Sequence, residues 1–188
     1  MPNNEYHFVD RWRVEGTVEE VSEVIEDAVG LVRWWPSVYF EVEEKEKGGE
    51  GGFGKLISLR AGGWLPYTLR INFRTTESRA PHGFTLKASG DLEGTGVWSF
   101  EQDGQFVNIV YDWRVLANKA VVRALSFLLK PIFASNHHWT MRRGEESLKL
   151  ELQRRRARTP EEASRIPAPP GPFLLHRLSR RKKGSVQI

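Results

Sequence analysis

The 188-residue chain contains no cysteine. This absence excludes disulfide bonds, thiolate metal sites and cysteine nucleophiles, but it does not identify a cellular compartment. The chain also lacks any run of about 18 apolar residues, so the sequence predicts no membrane-spanning helix. The opening stretch, MPNNEYHF, has no basic start followed by an apolar run. We therefore expect no secretory signal and a cytoplasmic location.

Positive charge is scarce in most of the chain and concentrated at its end. Residues 1–153 hold 18 Lys and Arg against 22 Asp and Glu, a net charge of −4, whereas residues 154–188 hold 10 against 2, a net charge of +8. A nucleic-acid-binding domain would carry its own basic face, so we expect no nucleic-acid binding by the body of the protein. The composition predicts a folded domain over residues 1–156. The Pro- and Arg-rich segment 157–188 has no periodic apolar face and is expected to be disordered.

Alternation of apolar and polar residues predicts a sheet of about seven strands. The strands are separated by short turns rich in Gly, including an Asp-Gly pair at 103–104 that is typical of a hairpin. Strands joined by such short turns are mostly antiparallel neighbours, and a twisted sheet of seven strands tends to curl. The predicted strands are 5–16, 38–46, 53–61, 65–73, 84–89, 92–101 and 106–116.

Two short helices are predicted after the first strand and one long helix after the last. Thr17 and Glu20 have the spacing of a capping box at the start of the first helix, and the second, LVRWWP, ends at Pro36. The long helix is predicted over 131–156. Its apolar face comprises residues at three- and four-residue steps: Ala134, His137, Met141, Gly144, Leu148 and Leu152.

The apolar face of this long helix is not filled with large aliphatic residues throughout. His137, Met141 and Gly144 leave space or a polar group between the helix and the sheet. Two interpretations stay open: a tight helix–sheet crossing at Gly144 with a hydrogen-bonded His137, or a ligand cavity. The preceding segment, 118–130, is nearly continuously apolar. It predicts either a short helix at the cavity mouth or a lid that contacts a membrane or partner.

Several features together resemble the SRPBCC (START/Bet v1-like) superfamily, in particular its polyketide cyclase/dehydrase-like branch. They are the β-α-α-β6-α order, the WWP after the second helix, the LEGTGVWSF strand and the NHHWTMRRGEESL helix, and they span about residues 5–153. The resemblance implies an α+β helix-grip fold, in which a curved antiparallel sheet wraps around the C-terminal helix and encloses a deep apolar cavity. Members bind lipids, sterols, polyketides or other hydrophobic molecules, and some catalyse ring closure or dehydration. No universal catalytic signature exists in the superfamily, so no catalytic residue is carried over.

The predicted ligand-binding residues are aromatic and apolar side chains on the inward faces of the strands and helices. His137 is also the leading candidate for proton transfer, ahead of Glu145, Asp112, Arg114 and the tyrosine hydroxyls. No metal is predicted, because His137 and His138 are adjacent and miss the four-residue spacing of a helical zinc pair. No cofactor is predicted either. The predicted set is Trp34, Tyr67, Leu69, Ile71, Phe73, Trp98, Tyr111, Trp113, Phe133, His137 and Met141.

Three functions are compatible with these features. We favour a protein that binds a small hydrophobic molecule, such as a lipid, polyketide or aromatic compound, because the predicted interior is aromatic and shows no acid–base cluster. The first alternative is a cyclase or dehydratase acting in the same cavity. The second is a scaffold that docks to a membrane or partner, with residues 120–133 and the basic tail making weak contact with acidic lipid.

Overall fold

The computed structural model describes residues 5–118, 120–174 and 176, and the side chains of all of these except 120–129. A short 3₁₀ turn at Glu50–Gly52 separates the second and third strands. The helices and strands, in chain order, are β1 (Glu5–Glu15), α1 (Val18–Glu26), α2 (Leu31–Trp34), β2 (Tyr39–Glu46), β3 (Leu56–Ala61), β4 (Leu69–Ser78), β5 (Gly83–Gly90), β6 (Leu92–Asp103), β7 (Phe106–Ala117), α3 (Ala120–Arg156) and α4 (Pro160–Arg165).

The seven strands form one curved antiparallel sheet in the order β1-β7-β6-β5-β4-β3-β2. This confirms the predicted α+β helix-grip architecture. From β2 to β7, each strand pairs with the next strand in the chain. β1 is followed by α1 and α2 and pairs with β7 instead of β2. The predicted alternation places one face of each strand inward: Trp12 and Val14 on β1 are buried, as are Val107 and Ile109 on β7.

Two predicted strands begin later than expected, since β3 starts at Leu56 instead of Phe53 and β4 also starts late. The pattern Leu65, Tyr67, Leu69 suggested a strand from residue 65, but β4 starts at Leu69. Pro66 has no N–H to donate to a sheet, and the Tyr67 N–H donates to the Leu65 carbonyl two residues back, at 2.8 Å. Residues 62–68 therefore form a loop between β3 and β4, here called the β3–β4 loop.

The helices follow the predicted signals. At the start of α1, the Thr17 hydroxyl accepts from the Glu20 N–H and the Glu20 carboxylate accepts from the Thr17 N–H, which confirms the capping box. The long helix α3 begins at Ala120, earlier than the predicted residue 131, and Pro131 lies inside it. The predicted apolar face of α3 is confirmed in its second half, where Leu148 and Leu152 are buried against the core.

The first part of the C-terminal segment contacts the body of the protein. Helix α4, which was not predicted, starts where the Thr159 side chain accepts from the Glu162 N–H. Further along, the Phe173 ring meets the edge of Trp139, and the His176 Nε2 lies 2.9 Å from the Leu65 carbonyl. That 157–188 is a disordered tail outside the folded domain stays a prediction, and the basic run 180–183 lies outside the described residues.

In the described part of the chain, the structure contains no helix that is both long and apolar enough to cross a membrane. The apolar residues at 120–129, on which the lid hypothesis depends, have no described side chains.

Candidate functional site

A cavity lies between α3, the inner face of the sheet and the β3–β4 loop. Its free space is about 950 Å³, a volume that includes open solvent at its mouth. Strands β1, β4 and β7 supply most of its wall, and α3 closes it from the other side. The predicted residues that line it are Tyr67, Leu69, Ile71, Phe73, Tyr111, Trp113, Phe133, His137 and Met141.

The other two predicted residues, Trp34 and Trp98, line a second cavity between α1, α2 and the sheet. Trp98 stacks on the Tyr111 ring at 4.1 Å, so it lies on the far side of that ring from the first cavity. The two cavities share a partition of four aromatic side chains that line both: Trp35, Tyr39, Phe73 and Tyr111.

His137 forms a close pair with Asp10 at the cavity wall. The His137 Nε2 lies 2.6 Å from the Asp10 Oδ2, and the two side chains are 14% and 10% exposed. The Phe8 ring stacks on the imidazole at 3.9 Å, almost parallel to it. The imidazole is thus fixed on one side by a carboxylate and on one face by an aromatic ring, an arrangement that suits proton transfer.

Asp10 is the main polar residue that the sequence prediction missed. It lies on β1 on the same face as Tyr6, Phe8, Trp12 and Val14, all of which point inward. A carboxylate among inward-facing aromatic residues is costly to bury without a partner. That position was the signal in the sequence that could have identified it as the partner of a buried cation or imidazole.

The other candidate acid–base residues lie away from the cavity. Glu145 accepts from Lys149 one helical turn further on, at 2.6 Å. Asp112 and Arg114 pair with each other on the outer face of β7, opposite to the face that carries Tyr111. His138 is 62% exposed, and its Nδ1 lies 3.8 Å from the Asp10 Oδ1.

Tyrosine hydroxyls are the most numerous polar groups in the cavity. Burial raises the pKa of Tyr6, Tyr39 and Tyr111, and raises the pKa of Tyr67 to about 12. The neighbouring Tyr6 contributes further to the raised pKa of Tyr67, and Tyr39 and Asp10 contribute to that of Tyr111. All four phenols are therefore protonated and neutral at physiological pH.

Within the described residues, no Lys, Arg, Asp or Glu side chain lines the cavity. The described part of the chain likewise brings no three His, Asp or Glu side chains together as metal ligands would be. The cavity is thus apolar and aromatic, with hydroxyl, amide and imidazole groups at a few points.

Gly144 explains why the cavity ends where it does. A Cβ atom at this position would lie 2.2 Å from the Trp35 ring, so the indole occupies the space that the missing side chain leaves. The tight crossing and the cavity, which the sequence left as alternatives, are both present. The indole fills the gap at Gly144, and the cavity begins one helical turn earlier, at Met141.

No protein-family model matches the sequence, and no curated protein matches it either. Among solved structures, the chain is similar to the Zhui aromatase/cyclase from Streptomyces sp. R1128, with 15% identity and a TM-score of 0.67 over 82% of this chain and 97% of that one. It is also similar to the protein TTHA0849 from Thermus thermophilus, with 14% identity and a TM-score of 0.63 over 81% and 100%. The di-domain aromatase/cyclase StfQ from the steffimycin biosynthetic pathway shows 15% identity and a TM-score of 0.58 over 81% and 52%. With its antiparallel sheet wrapped around α3, the chain shares the helix-grip fold of these solved structures.

Proposed function

We propose that the protein binds a small hydrophobic molecule, of lipid, polyketide or aromatic type, in the cavity between α3 and the sheet. The observation that carries this proposal is the lining of that cavity, which is mainly aliphatic and aromatic with a few polar groups. Such a lining favours burial of apolar surface, and the few polar groups orient the ligand. The similarity to aromatase/cyclases supports the same assignment.

A titration with 1-aminoanthracene, a fluorescent apolar probe, tests this proposal. Thr140 lines the cavity, whereas Ser135 is exposed on the same helix, so Thr140→Trp fills the cavity and Ser135→Trp is its matched control. We expect saturable binding by the wild-type protein, at least a tenfold loss in Thr140→Trp and little change in Ser135→Trp. Absence of saturable binding, or equal affinity in both variants, would contradict the proposal.

The His137–Asp10 pair favours a second candidate, an enzyme of cyclase or dehydratase type. With its proton on Nε2, His137 donates to Asp10, and the unprotonated Nδ1 can accept a proton from a carbon next to a carbonyl group. The resulting enolate would attack a second carbonyl of the same molecule, forming a C–C bond. The alkoxide so formed takes the proton back from the imidazolium. Subsequent loss of water would give the unsaturated ring.

Deuterium exchange separates this candidate from simple binding. Propiophenone is an apolar ketone whose α-carbon exchanges slowly with D₂O, and NMR measures the rate directly. A proton-transfer pair should accelerate exchange, and His137→Gln should reduce it by about 10²–10⁴-fold, towards the buffer rate. Asp10→Asn should also slow exchange while 1-aminoanthracene binding persists. If wild type and His137→Gln exchange the ketone equally, the pair has a structural role only.

A further inference from the structure

All the tyrosines of the chain converge on one cavity. The sequence has four, and each of them lines the space between α3 and the sheet. Tyr6 and Tyr67 form one group, because both contact the Phe133 ring edge-on, at 6.3 and 6.2 Å between centroids. Tyr39 and Tyr111 form the other group, in the partition shared with the second cavity.

The two groups are separated along the strands. Tyr6 and Asp10 lie four residues apart on β1, and their pairing partners on β7 are Val115 and Tyr111. Four residues of strand span about 13 Å. The Tyr6 backbone is therefore about 13 Å along the strands from that of Tyr111. Tyr6 and Tyr67 lie at the Phe133 end of the cavity, and Tyr39 and Tyr111 lie at the aromatic partition.

Among the described residues, the tyrosine hydroxyls and the Trp35 indole N–H have no hydrogen-bond partner, in contrast to the amide, hydroxyl and imidazole groups of Asn136, Thr140 and His137. The Asn136 amide oxygen accepts from the Leu65 N–H, the Thr140 hydroxyl donates to the His137 carbonyl, and His137 pairs with Asp10. In the part of the chain that the structure describes, no group is hydrogen-bonded to any of the four tyrosine hydroxyls, and the Tyr6 hydroxyl is also closed off from solvent. Buried hydroxyls in proteins normally have a hydrogen-bond partner.

The charge of the lining limits what that partner can be. Within the described residues, no Lys or Arg side chain lines the cavity, and Lys130, whose ammonium lies 5.8 Å from the centre of the Tyr6 ring, is exposed. A ligand carboxylate inside the cavity would therefore lose its hydration without gaining a counterion there. The raised pKa values of the phenols keep them neutral, and a neutral phenol both donates and accepts. A hydrocarbon would leave the hydroxyls without partners, and a fatty-acid anion would be buried without compensation.

We propose that the four tyrosines select a neutral, elongated hydrophobic ligand that carries hydroxyl or carbonyl oxygens near both ends. One end bonds the Tyr67 hydroxyl, and also the Tyr6 hydroxyl once the Tyr6 side chain turns to expose it. The other end bonds the Tyr39 and Tyr111 hydroxyls. The proposal rests on the binding function proposed above and specifies the ligand chemistry of that site.

Three stilbenes of one skeleton test this selectivity: trans-stilbene, trans-4,4′-dihydroxystilbene and trans-stilbene-4-carboxylate. They differ only in their end groups, and fluorescence titration gives the affinity of each. Wild-type protein should bind the dihydroxy compound at least tenfold more tightly than the hydrocarbon and should bind the carboxylate most weakly. In the double variants Tyr6→Phe/Tyr67→Phe and Tyr39→Phe/Tyr111→Phe, only hydroxyl groups are removed. Each should lose about 3- to 30-fold in affinity for the dihydroxy compound, with stilbene affinity unchanged within about twofold.

The outcomes distinguish this inference from the binding function on which it rests. Equal affinity of wild type for stilbene and its dihydroxy derivative overturns the selectivity, even where 1-aminoanthracene binds well. An equal loss for both compounds in the Phe variants assigns the tyrosines to packing and also overturns it. If neither 1-aminoanthracene nor any stilbene binds, the binding function fails and this inference fails with it. Circular dichroism and thermal unfolding of each Phe variant check that the fold is retained.

Discussion

The two halves of α3 meet the rest of the protein in different ways. Towards its start, Phe133, His137 and Met141 line a cavity, and the imidazole is held by a single carboxylate. Towards its end, Gly144 is covered by the Trp35 ring and Leu148 is completely buried. The same helix thus lines a cavity from Phe133 to Met141 and packs against a filled core after Gly144.

The two halves of α3 therefore contribute to different properties, stability after Gly144 and ligand binding before it. Residues after Gly144 stabilise the fold through close packing, whereas residues before it leave room at the cost of packing energy. The downstream half also carries a buried carboxylate, Glu151, which accepts hydrogen bonds from Arg33 and Arg155. Substitutions should therefore change mainly stability in the downstream half and mainly ligand binding in the upstream half.

The largest expected effect comes from truncating a buried leucine in the downstream half. Leu148 is 0% exposed, so Leu148→Ala should lower the free energy of unfolding by about 2–5 kcal/mol. Met141→Ala removes a side chain of similar size that already borders a cavity, and its cost should lie at the lower end of the same range, about 2 kcal/mol. Urea denaturation measures both values.

Leu148→Ala and Met141→Ala should show the opposite order in their effects on ligand affinity. Met141→Ala changes the cavity wall and should alter the affinity for 1-aminoanthracene, while Leu148→Ala should leave it within about twofold at temperatures where the protein is folded. Equal destabilisation by both substitutions, with equal effects on the probe, would remove the distinction between the two halves.

The next effect concerns Glu151, whose side chain is 1% exposed. Burial alone would raise the pKa of this carboxyl, but hydrogen bonds from Arg33 and Arg155 outweigh burial and hold the pKa below its ordinary value. A depressed pKa in the folded state means that the charged form contributes stability above the ordinary pKa of glutamate, about 4.3. That contribution is lost as the pH falls through the lower folded pKa.

Glu151→Gln should therefore destabilise the protein at pH 7 by roughly 1.5–3 kcal/mol. The difference from wild type should shrink as the pH falls below about 4. Glu146→Gln is the matched control, because Glu146 is exposed and pairs with Arg143 on the helix surface, at 2.9 Å. Its cost should stay below about 0.5 kcal/mol. A pH-independent difference for Glu151→Gln would show that the charge itself contributes nothing.

The smallest effect, at the boundary between the halves, should have an unusual sign. Gly-to-Ala changes inside a helix normally stabilise it by up to about 1 kcal/mol, but at Gly144 the new Cβ would collide with the Trp35 ring. Because the core must shift to admit it, Gly144→Ala should destabilise by about 1–2 kcal/mol. An increase in melting temperature of Gly144→Ala would show that the Trp35 indole can shift without a loss of stability, so that packing at this position is loose.

Much of the fold could be predicted because it depends on local patterns. Val107, Ile109, Tyr111 and Trp113 alternate in the sequence, and all four are buried on β7. The period of two fixes the face of a strand, whatever it packs against. The start of β4 was wrong because the apolar alternation continued through Pro66, whose missing N–H the pattern does not register.

The candidate site depended on contacts that no local pattern contains. His137 could be placed on the inward face of its helix, but its partner Asp10 lies 127 residues away. The pairing of β1 with β7, rather than with the next strand in the chain, sets Asp10 opposite Tyr111. The Trp35 indole that fills the gap at Gly144 likewise comes from a distant segment.

The sequence by itself determined the strand faces, the capped first helix, the apolar stripe of α3 and the lack of thiol chemistry, because each follows from neighbouring residues or composition. Only the tertiary structure decided that four tyrosines share one cavity and that a carboxylate faces His137. It also decided that the space beside α3 is open before Gly144 and filled after it. These features arise from strand order and helix crossing, which bring together side chains that are far apart in the chain.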